Sequence, residues 1–471
     1  MTRPASGTRC AVSTAQAAPP APGAVAHDPG AKRSGNLALA FGAAATALAQ
    51  VARGGPLDRA LEAAARPLET PERAAAQDIA YRACRRLNLL DALAARLMRT
   101  PNAQVDGLIR AALSELIDHG DARAHTITDQ AVACAAGIAQ GAFKGLVNGV
   151  LRRFLRERET LLNALLTEEA LRLAYPLWWI DRVRDAWPAH WQAILDAGNQ
   201  PPAMTLRVNL RRGSVEDYAA VLDAAGLAAR RTGVAALTLE RAIPVARLPG
   251  FADGRVSVQD LGAQWAGHFA HVTLASAAQS KPLRILDACA APGGKSAHLL
   301  ELFDCDLTAL DSDSRRLDSV RHNLDRLGLR ANCRVADAGK PAAWWDGVPF
   351  DFVLLDTPCT ASGVISRHPD GKWLKRASDV TQLARLQRRL LDALWRTLSP
   401  GGTLLYATCS LFPAENTRQF AAWQGAHPDA RPSPLPITHP ALATHAVHWH
   451  DGQLLPGALH GGFFYALAQK T

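Results

Sequence analysis

The sequence predicts an α/β protein in which a Rossmann-like domain follows an all-helical domain and a small α/β connector. From about residue 256, apolar strands alternate with amphipathic helices, whereas residues 37 to about 165 are rich in Ala, Leu and Arg without strand signatures. The chain has 471 residues. A chain of this length usually divides into two or more domains, each with its own hydrophobic core. We place the boundaries at 1–36, 37–170, 171–255 and 256–471.

Composition and charge exclude several classes of protein. The chain is 48% hydrophobic and 20% charged, which is ordinary for a globular protein, and it has no run of about eighteen apolar residues that could span a membrane. A net charge of +9 is compatible with a nucleic-acid partner. Eight scattered cysteines form no CxxC pair, which argues against a zinc ribbon or a disulfide framework. We therefore expect a cytoplasmic protein.

Residues 1–36 are rich in Ala and Pro, and we interpret them as a disordered tail. Arg3, Arg9 and several hydroxyl residues precede the first acid, Asp28, so a transit peptide is the alternative. There is no apolar stretch of the kind that a secretory signal peptide needs.

Two segments of the second region show clear helical periodicity, QVDGLIRAALSELID and KGLVNGVLRRFLRER. The apolar face of the second segment consists of Leu146, Val147, Val150, Leu151 and Phe154. Its other face is basic and includes Arg152 and Arg153. Such a face is compatible with RNA contact and equally with simple solvation.

A tryptophan-dense helical segment, YPLWWIDRVRDAWPAHWQAILDAG, begins the connector. Its indole rings could form a platform on which bases stack, but an interdomain core is the commoner role for such a cluster. Short strands and helices alternate from 205 to 255, which indicates a small α/β unit.

The region from 256 onward predicts a mostly parallel sheet covered on both faces. Strands are expected at 283–288, 307–311 and 350–356, and a long helix at 382–398. The apolar segment 463–468 near the end of the chain predicts an added antiparallel strand.

A glycine turn follows the first of these strands in ACAAPGGKSAH. It is neither a P-loop nor a GxGxxG turn, but its small residues and the following helix N-terminus suit a ligand that approaches the backbone. The candidate cofactor residues in the turn are Cys289, Ala290, Ala291, Pro292, Gly293, Gly294 and Lys295. Asp311, Asp337 and Asp356 each close a later strand. Because ligands bind beyond the carboxyl ends of parallel strands, these acids predict an adenosine-type ligand.

Together, DACAAPGGK, DTPCTASG and YATCS resemble the RNA cytosine-5 methyltransferase family. The helical region, above all KGLVNGVLRRFLRER, is similar to a NusB-type RNA-binding domain. The resemblance implies S-adenosylmethionine as cofactor and C5 of a cytosine as target. The combination of domains implies 16S rRNA as substrate, at cytosine 967, free or early in assembly. We expect a monomer that needs neither a metal nor a membrane.

Two cysteines lie in strand-end loops, Cys359 after the fourth strand and Cys409 after the fifth. Thiolate addition to C6 would make C5 of cytosine nucleophilic, which is covalent catalysis. Position alone leaves open which thiol attacks, because related DNA enzymes use the Pro-Cys. The resemblance to RNA enzymes implies that Cys409 adds to C6 and Cys359 assists product release. It also implies that Asp356 hydrogen-bonds or protonates the N3 edge of the base.

Arg367, His368 and Lys372 follow the fourth-strand loop, and we expect them to contact RNA. The histidines between 427 and 460 have irregular spacing, so we expect no metal site. Two rival functions remain open. One is the same chemistry on tRNA, and the other is a non-catalytic RNA-binding or antitermination factor that uses the helical domain alone.

Overall fold

A computed structural model describes residues 36–280, 282–439, 442 and 448–471. The predicted disordered tail, with its transit-peptide alternative, lies outside the described residues except for Asn36. In the described part of the chain, no helix is long and apolar enough to cross a membrane.

The first domain is a bundle of eight helices. They are α1 (Leu37–Ala52), α2 (Leu57–Ala65), α3 (Thr70–Arg85), α4 (Leu87–Leu97), α5 (Asp106–His119), α6 (Ala124–Ala136), α7 (Lys144–Leu165) and α8 (Glu169–Leu173). Helix α1 packs against α2, α3, α5 and α6 and so forms the centre of the bundle. Gly107 allows the closest approach, since a Cβ there would lie 2.2 Å from the carbonyl oxygen of Ala45.

The two periodic segments of the sequence are the helices α5 and α7. On α7, Val147, Val150, Leu151 and Phe154 are buried, as their spacing predicts. The prediction for Leu146 is wrong, because that side chain is 37% exposed. It lies at the edge of the i, i+3, i+4, i+7 stripe and is therefore only partly covered by the bundle.

The connector consists of two helices followed by a small antiparallel sheet. Its elements are α9 (Leu177–Ala186), α10 (Trp191–Asn199), β1 (Thr205–Val208), α11 (Val215–Ala224), β2 (Ala229–Arg231), β3 (Ala236–Leu239) and β4 (Val256–Val258). The strand order is β2-β3-β1-β4, so this sheet extends three residues past the boundary expected at 255. Trp178 and Trp179 pack against Phe412, so the tryptophans form an interdomain core rather than a stacking platform.

The third domain is a large β-sheet whose two faces are covered by helices. Its helices are α12 (Leu261–Ser280), α13 (Gly294–Leu302), α14 (Ser314–Leu327), α15 (Gly371–Leu374), α16 (Ala377–Trp395) and α17 (Thr417–Gln424). Its strands are β5 (Leu283–Asp287), β6 (Cys305–Asp311), β7 (Asn332–Val335), β8 (Phe350–Asp356), β9 (Leu398–Thr408), β10 (Ala430–Ser433), β11 (Trp449–His450), β12 (Gln453–Leu454) and β13 (Phe463–Lys470).

The order of this large sheet is β11-β12-β13-β9-β8-β5-β6-β7, with β10 also on β13. Strands β9, β8, β5, β6 and β7 run parallel, and β13 is antiparallel to β9, which confirms the predicted added strand. The helix expected at 382–398 instead begins at Ala377 and ends at Trp395. Its start is fixed by Asp379, whose carboxylate accepts the Arg376 backbone N–H at 2.9 Å.

Candidate active site

The carboxyl ends of β5, β6, β8 and β9 open onto one cavity of about 580 Å³. Parallel strands end at the same edge of a sheet, so residues distant in sequence meet there. The residues that line the cavity include Cys289, Ala291, Asp311, Arg316, Asp337, Asp356, Cys359, Val364, His368, Arg389 and Cys409. All three predicted acids and both predicted catalytic cysteines therefore face one space.

The glycine turn connects β5 to α13 and forms one wall of this cavity. Cys289 and Ala291 line it, whereas Ala290 is buried and its N–H donates to Leu310 at 2.8 Å, which ties the turn to β6. Gly293 has φ +97°, and a Cβ there would lie 3.0 Å from Cα of Val320. Only glycine fits this conformation and this approach to α14 without strain.

The other predicted members of the turn have different surroundings. Pro292 is exposed, and Gly294 uses its carbonyl oxygen to accept a 2.8 Å hydrogen bond from Arg207. Because Arg207 belongs to β1, the connector sheet holds the turn from behind. Arg207 is itself buried and paired with Glu301 at 2.8 Å.

The strand-end acids differ in their partners. Asp311 is buried and lies 3.5 Å from Arg316, and its carboxylate also accepts the Ala291 N–H at 3.3 Å. Asp337 is more open and lies 3.9 Å from Arg389. Both carboxylates can therefore accept hydrogen bonds from a ligand in the cavity.

Asp287, the last residue of β5, was not among the acids predicted from the sequence. Burial raises the pKa of its carboxyl group to about 7, although the 2.6 Å hydrogen bond from Ser296 opposes the shift. Its Oδ1 is buried without a hydrogen-bond partner in the described part of the chain. The strand-end rule that selected the other three acids could have found it, because it directly precedes the glycine turn.

Asp356, which lines the cavity, forms an ion pair with Lys295, whose Nζ lies 2.5 Å from Oδ2. Burial alone would lower the pKa of the Lys295 ammonium, but the Asp356 carboxylate outweighs it and raises that pKa. Lys295 therefore remains charged and orients Asp356. Its Nζ also lies 5.7 Å from the centre of the Phe463 ring, which links the site to β13.

The two catalytic candidates are in direct contact, with Sγ of Cys359 3.3 Å from Sγ of Cys409. The hydrogen bond to Cys409 and burial raise the pKa of the Cys359 thiol well above its usual range. Cys359 therefore keeps its proton at neutral pH. The protonated thiol of Cys359 therefore lies directly beside the sulfur of Cys409.

A buried carboxylate that the sequence analysis missed, Glu415, joins the two cysteine loops. It accepts hydrogen bonds from the Thr360 N–H at 2.9 Å and from the Thr360 hydroxyl at 2.6 Å. It also accepts the Ser410 hydroxyl at 2.5 Å and the amide of Gln387 at 3.2 Å. Thr360 follows Cys359 and Ser410 follows Cys409, so one side chain fixes the separation of both loops.

The predicted RNA contacts after β8 divide into three cases. His368 lines the cavity and is half-exposed. Arg367 lies 2.9 Å from Asp260 and keeps part of its guanidinium accessible. The prediction for Lys372 is wrong, because that side chain is 0% exposed.

Lys372 connects the domains instead of facing solvent. Its Nζ donates to the carbonyl oxygens of Arg85 at 2.8 Å and Ala174 at 3.0 Å, and to the side chain of Asn199. It also lies 4.0 Å above the ring of Tyr175. The sequence around Lys372 gives no sign of these partners, which lie 173 to 287 residues away.

Arg152 and Arg153 lie on the outer side of α7 and do not line the cavity. Arg152 donates to Asn148 at 3.1 Å, and Arg153 pairs with Glu157 at 3.1 Å. Their role in RNA binding stays a prediction. His445 lies outside the described residues, and among those that are described no cluster of three or more His, Cys, Asp or Glu could hold a metal.

Three family profiles match the chain in the order of its domains. Residues 42–156 match the NusB family, and residues 175–246 match a ferredoxin-like domain of RsmF/B-like methyltransferases. Residues 273–469 match the family described as 16S rRNA methyltransferase RsmB/F. With the cavity and its cysteines, these matches define the chain as an RNA methyltransferase.

The chain belongs to the ribosomal RNA small subunit methyltransferase B family. It is 42% identical over 437 residues to the Pseudomonas putida enzyme of that name, covering 90% of this chain and 97% of that one. It is 40% identical over 437 residues to the Vibrio cholerae enzyme, covering 91% and 96%. The enzyme from Salmonella arizonae is 40% identical over 433 residues, covering 90% and 96%.

Solved structures show the same fold. The crystal structure of PH0851 superimposes with a TM-score of 0.75 at 24% identity, over 92% of this chain and 99% of that one. A methyltransferase homologue from Pyrococcus horikoshii gives a TM-score of 0.53 at 28% identity, over 65% and 99%. NSun6 from the same organism, solved with SFG, gives 0.53 at 19% identity, over 63% and 98%.

Proposed function

We propose that this methyltransferase transfers a methyl group from S-adenosylmethionine to C5 of a cytosine in 16S rRNA through a covalent Cys–C6 adduct. One observation carries the proposal: two thiols in contact at 3.3 Å share a cavity with three strand-end carboxylates. A thiol pair suits the activation and release of a pyrimidine, and the carboxylates suit a nucleoside cofactor.

The residues present fit S-adenosylmethionine. The cavity volume of about 580 Å³ is in the range that small-molecule cofactors occupy. The buried Oδ1 of Asp287, which has no partner among the described residues, indicates a polar group still to be accommodated beside the turn. Asp311 and Asp337 would hold the nucleoside hydroxyls and ring, and Cys289, Ala291 and Gly293 would let the ligand approach the backbone. The cofactor would supply an electrophilic methyl group.

The thiol of Cys409 would act as the nucleophile. Its sulfur, as thiolate, forms the bond to C6, and the electron pair of the C5–C6 double bond makes C5 nucleophilic. Methylation of C5 would leave S-adenosylhomocysteine as the second product. The C5 proton then passes to solvent water, the C5–C6 double bond forms again and the S–C6 bond breaks, which returns Cys409 as a thiolate.

Cys359 would assist product release. The raised pKa of its thiol supports this role, because the residue remains protonated while its neighbour attacks. Asp356, oriented by Lys295, would hydrogen-bond to or protonate the N3 edge of the cytosine and so make C6 more electrophilic.

The substrate proposal depends on the helical domain and on family membership. All curated relatives described above bear a ribosomal RNA name, and the NusB match argues for an rRNA substrate over tRNA. Because the chain resembles the ribosomal RNA small subunit methyltransferase B family, cytosine 967 is the proposed target. A base must leave its stack to reach the cavity, so free or early-assembled rRNA is the proposed form of the substrate. The contacting thiols argue against a non-catalytic RNA-binding factor.

The test is transfer of labelled methyl to unmodified 16S rRNA by wild type, Cys409→Ala and Cys359→Ala, with denaturing gels to detect protein–RNA adducts. Cys333→Ala is the matched control, because that cysteine lies on β7 and does not line the cavity. We expect no transfer and no adduct with Cys409→Ala, accumulated adduct with Cys359→Ala, and wild-type behaviour of the control.

Other outcomes would change the proposal in defined ways. Exchanged phenotypes would make Cys359 the nucleophile. Transfer to tRNA but not to 16S rRNA would overturn the substrate, and efficient transfer to intact small subunits would overturn the early-assembly form. Absence of any adduct in both variants, with activity retained, would exclude covalent catalysis.

A further inference from the structure

The loop that carries His368 is built against the helical domain. We call residues 366–373 the bridging loop. Three hydrogen bonds anchor it there: Arg85 Nη2 to Ser366 O at 3.1 Å, Leu57 N to Asp370 Oδ2 at 3.0 Å and Trp373 Nε1 to Cys84 O at 2.7 Å. The Lys372 amine adds a fourth connection to Arg85. The helical domain therefore fixes one part of the cavity wall.

Within this loop, His368 contacts both the cavity and the helical domain. Its side chain lines the cavity that holds Cys359 and Cys409. Its Nδ1 lies 3.4 Å from Oδ2 of Asp58, near the start of α2 in the helical domain. The hydroxyl of Tyr81 hydrogen-bonds to the other oxygen of Asp58, so the carboxylate is held in place from a second side.

We propose that Asp58 of the helical domain is a positioning residue for the methyltransferase site: it holds His368 as an imidazolium at the cavity mouth, where His368 binds a backbone phosphate of the RNA beside the target cytosine. This inference rests on the proposed function. It means that the helical domain supplies part of the active-site electrostatics as well as a binding surface.

The geometry favours a phosphate as the ligand of His368. With Nδ1 directed to Asp58, Nε2 is left for a ligand, and no hydrogen bond to Nε2 occurs within the described residues. His368 lines the same cavity as the two thiols, and the backbone phosphates of a cytosine bound there are the anions nearest to it. Asp58 is half-exposed, so the pair is accessible to RNA from the solvent side.

The charges around His368 define the expected pH dependence. The hydrogen bond to Asp58 raises the pKa of His368, and the negative charge of Asp370 raises it further. Burial and the positive charge of Arg367 lower this pKa, but they do not outweigh the carboxylates. Tyr81 contacts Asp58 and keeps its proton, since burial raises the pKa of its hydroxyl far above neutral. A raised pKa means that the cation is present at neutral pH and is lost as the pH rises through that value. Removing the Asp58 charge moves this loss to lower pH.

The experiment measures binding of the full-length protein to unmodified 16S rRNA between pH 6 and 8.5 at constant salt. Binding is measured rather than transfer, because ionisation of the cysteines also affects the rate. The variants are Asp58→Asn and, as matched control, Glu62→Gln, an exposed acid one turn further along α2. A third variant, Asp58→Asn with His368→Lys, restores a cation that needs no partner.

We expect Asp58→Asn to bind like wild type at pH 6 and roughly tenfold more weakly at pH 7.5, the order of loss expected when one charge-assisted contact with a phosphate is removed. Glu62→Gln should follow wild type, and the double variant should regain binding at pH 7.5. S-adenosylmethionine binding and the thermal unfolding midpoint should stay unchanged, which separates this effect from misfolding.

Identical pH profiles for wild type and Asp58→Asn would overturn the inference and leave the proposed function intact. A loss of binding that is equal at all pH values and is not restored by the double variant would also overturn it, because that indicates a structural role. If the wild-type protein binds 16S rRNA but methylates only another RNA, the proposed substrate fails while the Asp58–His368 pair can still be judged on that RNA.

Discussion

The carboxylate of Glu415 illustrates how single residues set the geometry of this site. It lies in the loop after β9 and receives four hydrogen bonds, two of them from Thr360 and one from Ser410. Hydrogen bonds to a charged group are worth about 1.5–3 kcal/mol each, so this carboxylate is a strong connection between the two cysteine loops. Because Thr360 and Ser410 directly follow the two cysteines, we expect the contact of 3.3 Å between the thiols to depend on this carboxylate.

Glu415→Gln should therefore lower kcat at least tenfold while leaving the KM for S-adenosylmethionine within about twofold, an estimate that follows from loss of a charge-assisted bond of about 1.5–3 kcal/mol. The amide cannot accept all of the donors that the carboxylate accepts. Steady-state kinetics with circular dichroism checks this, and Asp392→Asn, on the surface of α16, is the control. A wild-type kcat for Glu415→Gln would show that the loops are held by other contacts.

The sequence was informative about some residues and silent about others. Cys359 and Cys409 were identified because each belongs to a short motif at a strand end. Asp311, Asp337 and Asp356 followed from their positions after apolar strands. Glu415 was missed, since a single acid in a loop has no periodicity and no motif that indicates burial.

At the scale of elements, the loop after β8 and the segment before β13 cross at two glycines. A Cβ on Gly363 would lie 2.2 Å from the carbonyl oxygen of Gly462, and the Gly462 N–H donates to the Gly363 carbonyl at 2.7 Å. Both contacts are between backbone atoms, so neither side can yield by rotating a side chain. The crossing fixes where the bridging loop begins.

Gly363→Ala should consequently separate β13 from the loop and lower the thermal unfolding midpoint, with a cost of roughly 1–3 kcal/mol as for other overpacked sites. The matched control is Gly145→Ala in α7, where a Cβ meets nothing within 4 Å. That change should be neutral or slightly stabilising, because alanine favours helix over glycine by up to about 1 kcal/mol. Equal midpoints for the two variants would contradict this account of the crossing.

Strands and helices were predicted with unequal success, for physical reasons. The segment 350–356 has a continuous apolar run and is β8 as expected. The two-residue strands β11 and β12 were not expected, since they form only by pairing with each other and with β13. The early start of α16 depends on a hydrogen bond that the Asp379 carboxylate accepts from the Arg376 backbone N–H, and hydrophobic periodicity gives no sign of such a bond.

At the scale of the whole molecule, the buried amine of Lys372 joins three parts of the chain. It donates to Arg85 in the helical domain and to Ala174 and Asn199 in the helical part of the connector. Burial lowers the pKa of this amine well below its usual range. The residue was expected on the surface because sequence alone does not reveal which loops are covered by another domain.

Lys372→Met should keep the apolar stem but leave these acceptors without a donor. We expect a lower unfolding midpoint and a loss of about 2–3 kcal/mol, with faster proteolysis in the bridging loop. Thermal unfolding and limited proteolysis provide the measurements, and Lys375→Met in the same stretch is the control. Unchanged stability and an unchanged cleavage pattern in Lys372→Met would show that the domains do not depend on this side chain.

The position of β13 in the sheet determines when the methyltransferase domain can finish folding during synthesis. It pairs with β9, β10 and β12, all of which are synthesised before it. Domains fold as units during synthesis, those nearest the N-terminus first, so the helical bundle can form while the large sheet is still open. The crossing at Gly462 and the contact of Lys295 with Phe463 also cannot form before this part of the chain has been synthesised. We therefore expect a nascent chain to be inactive until β13 has left the ribosome and paired with β9.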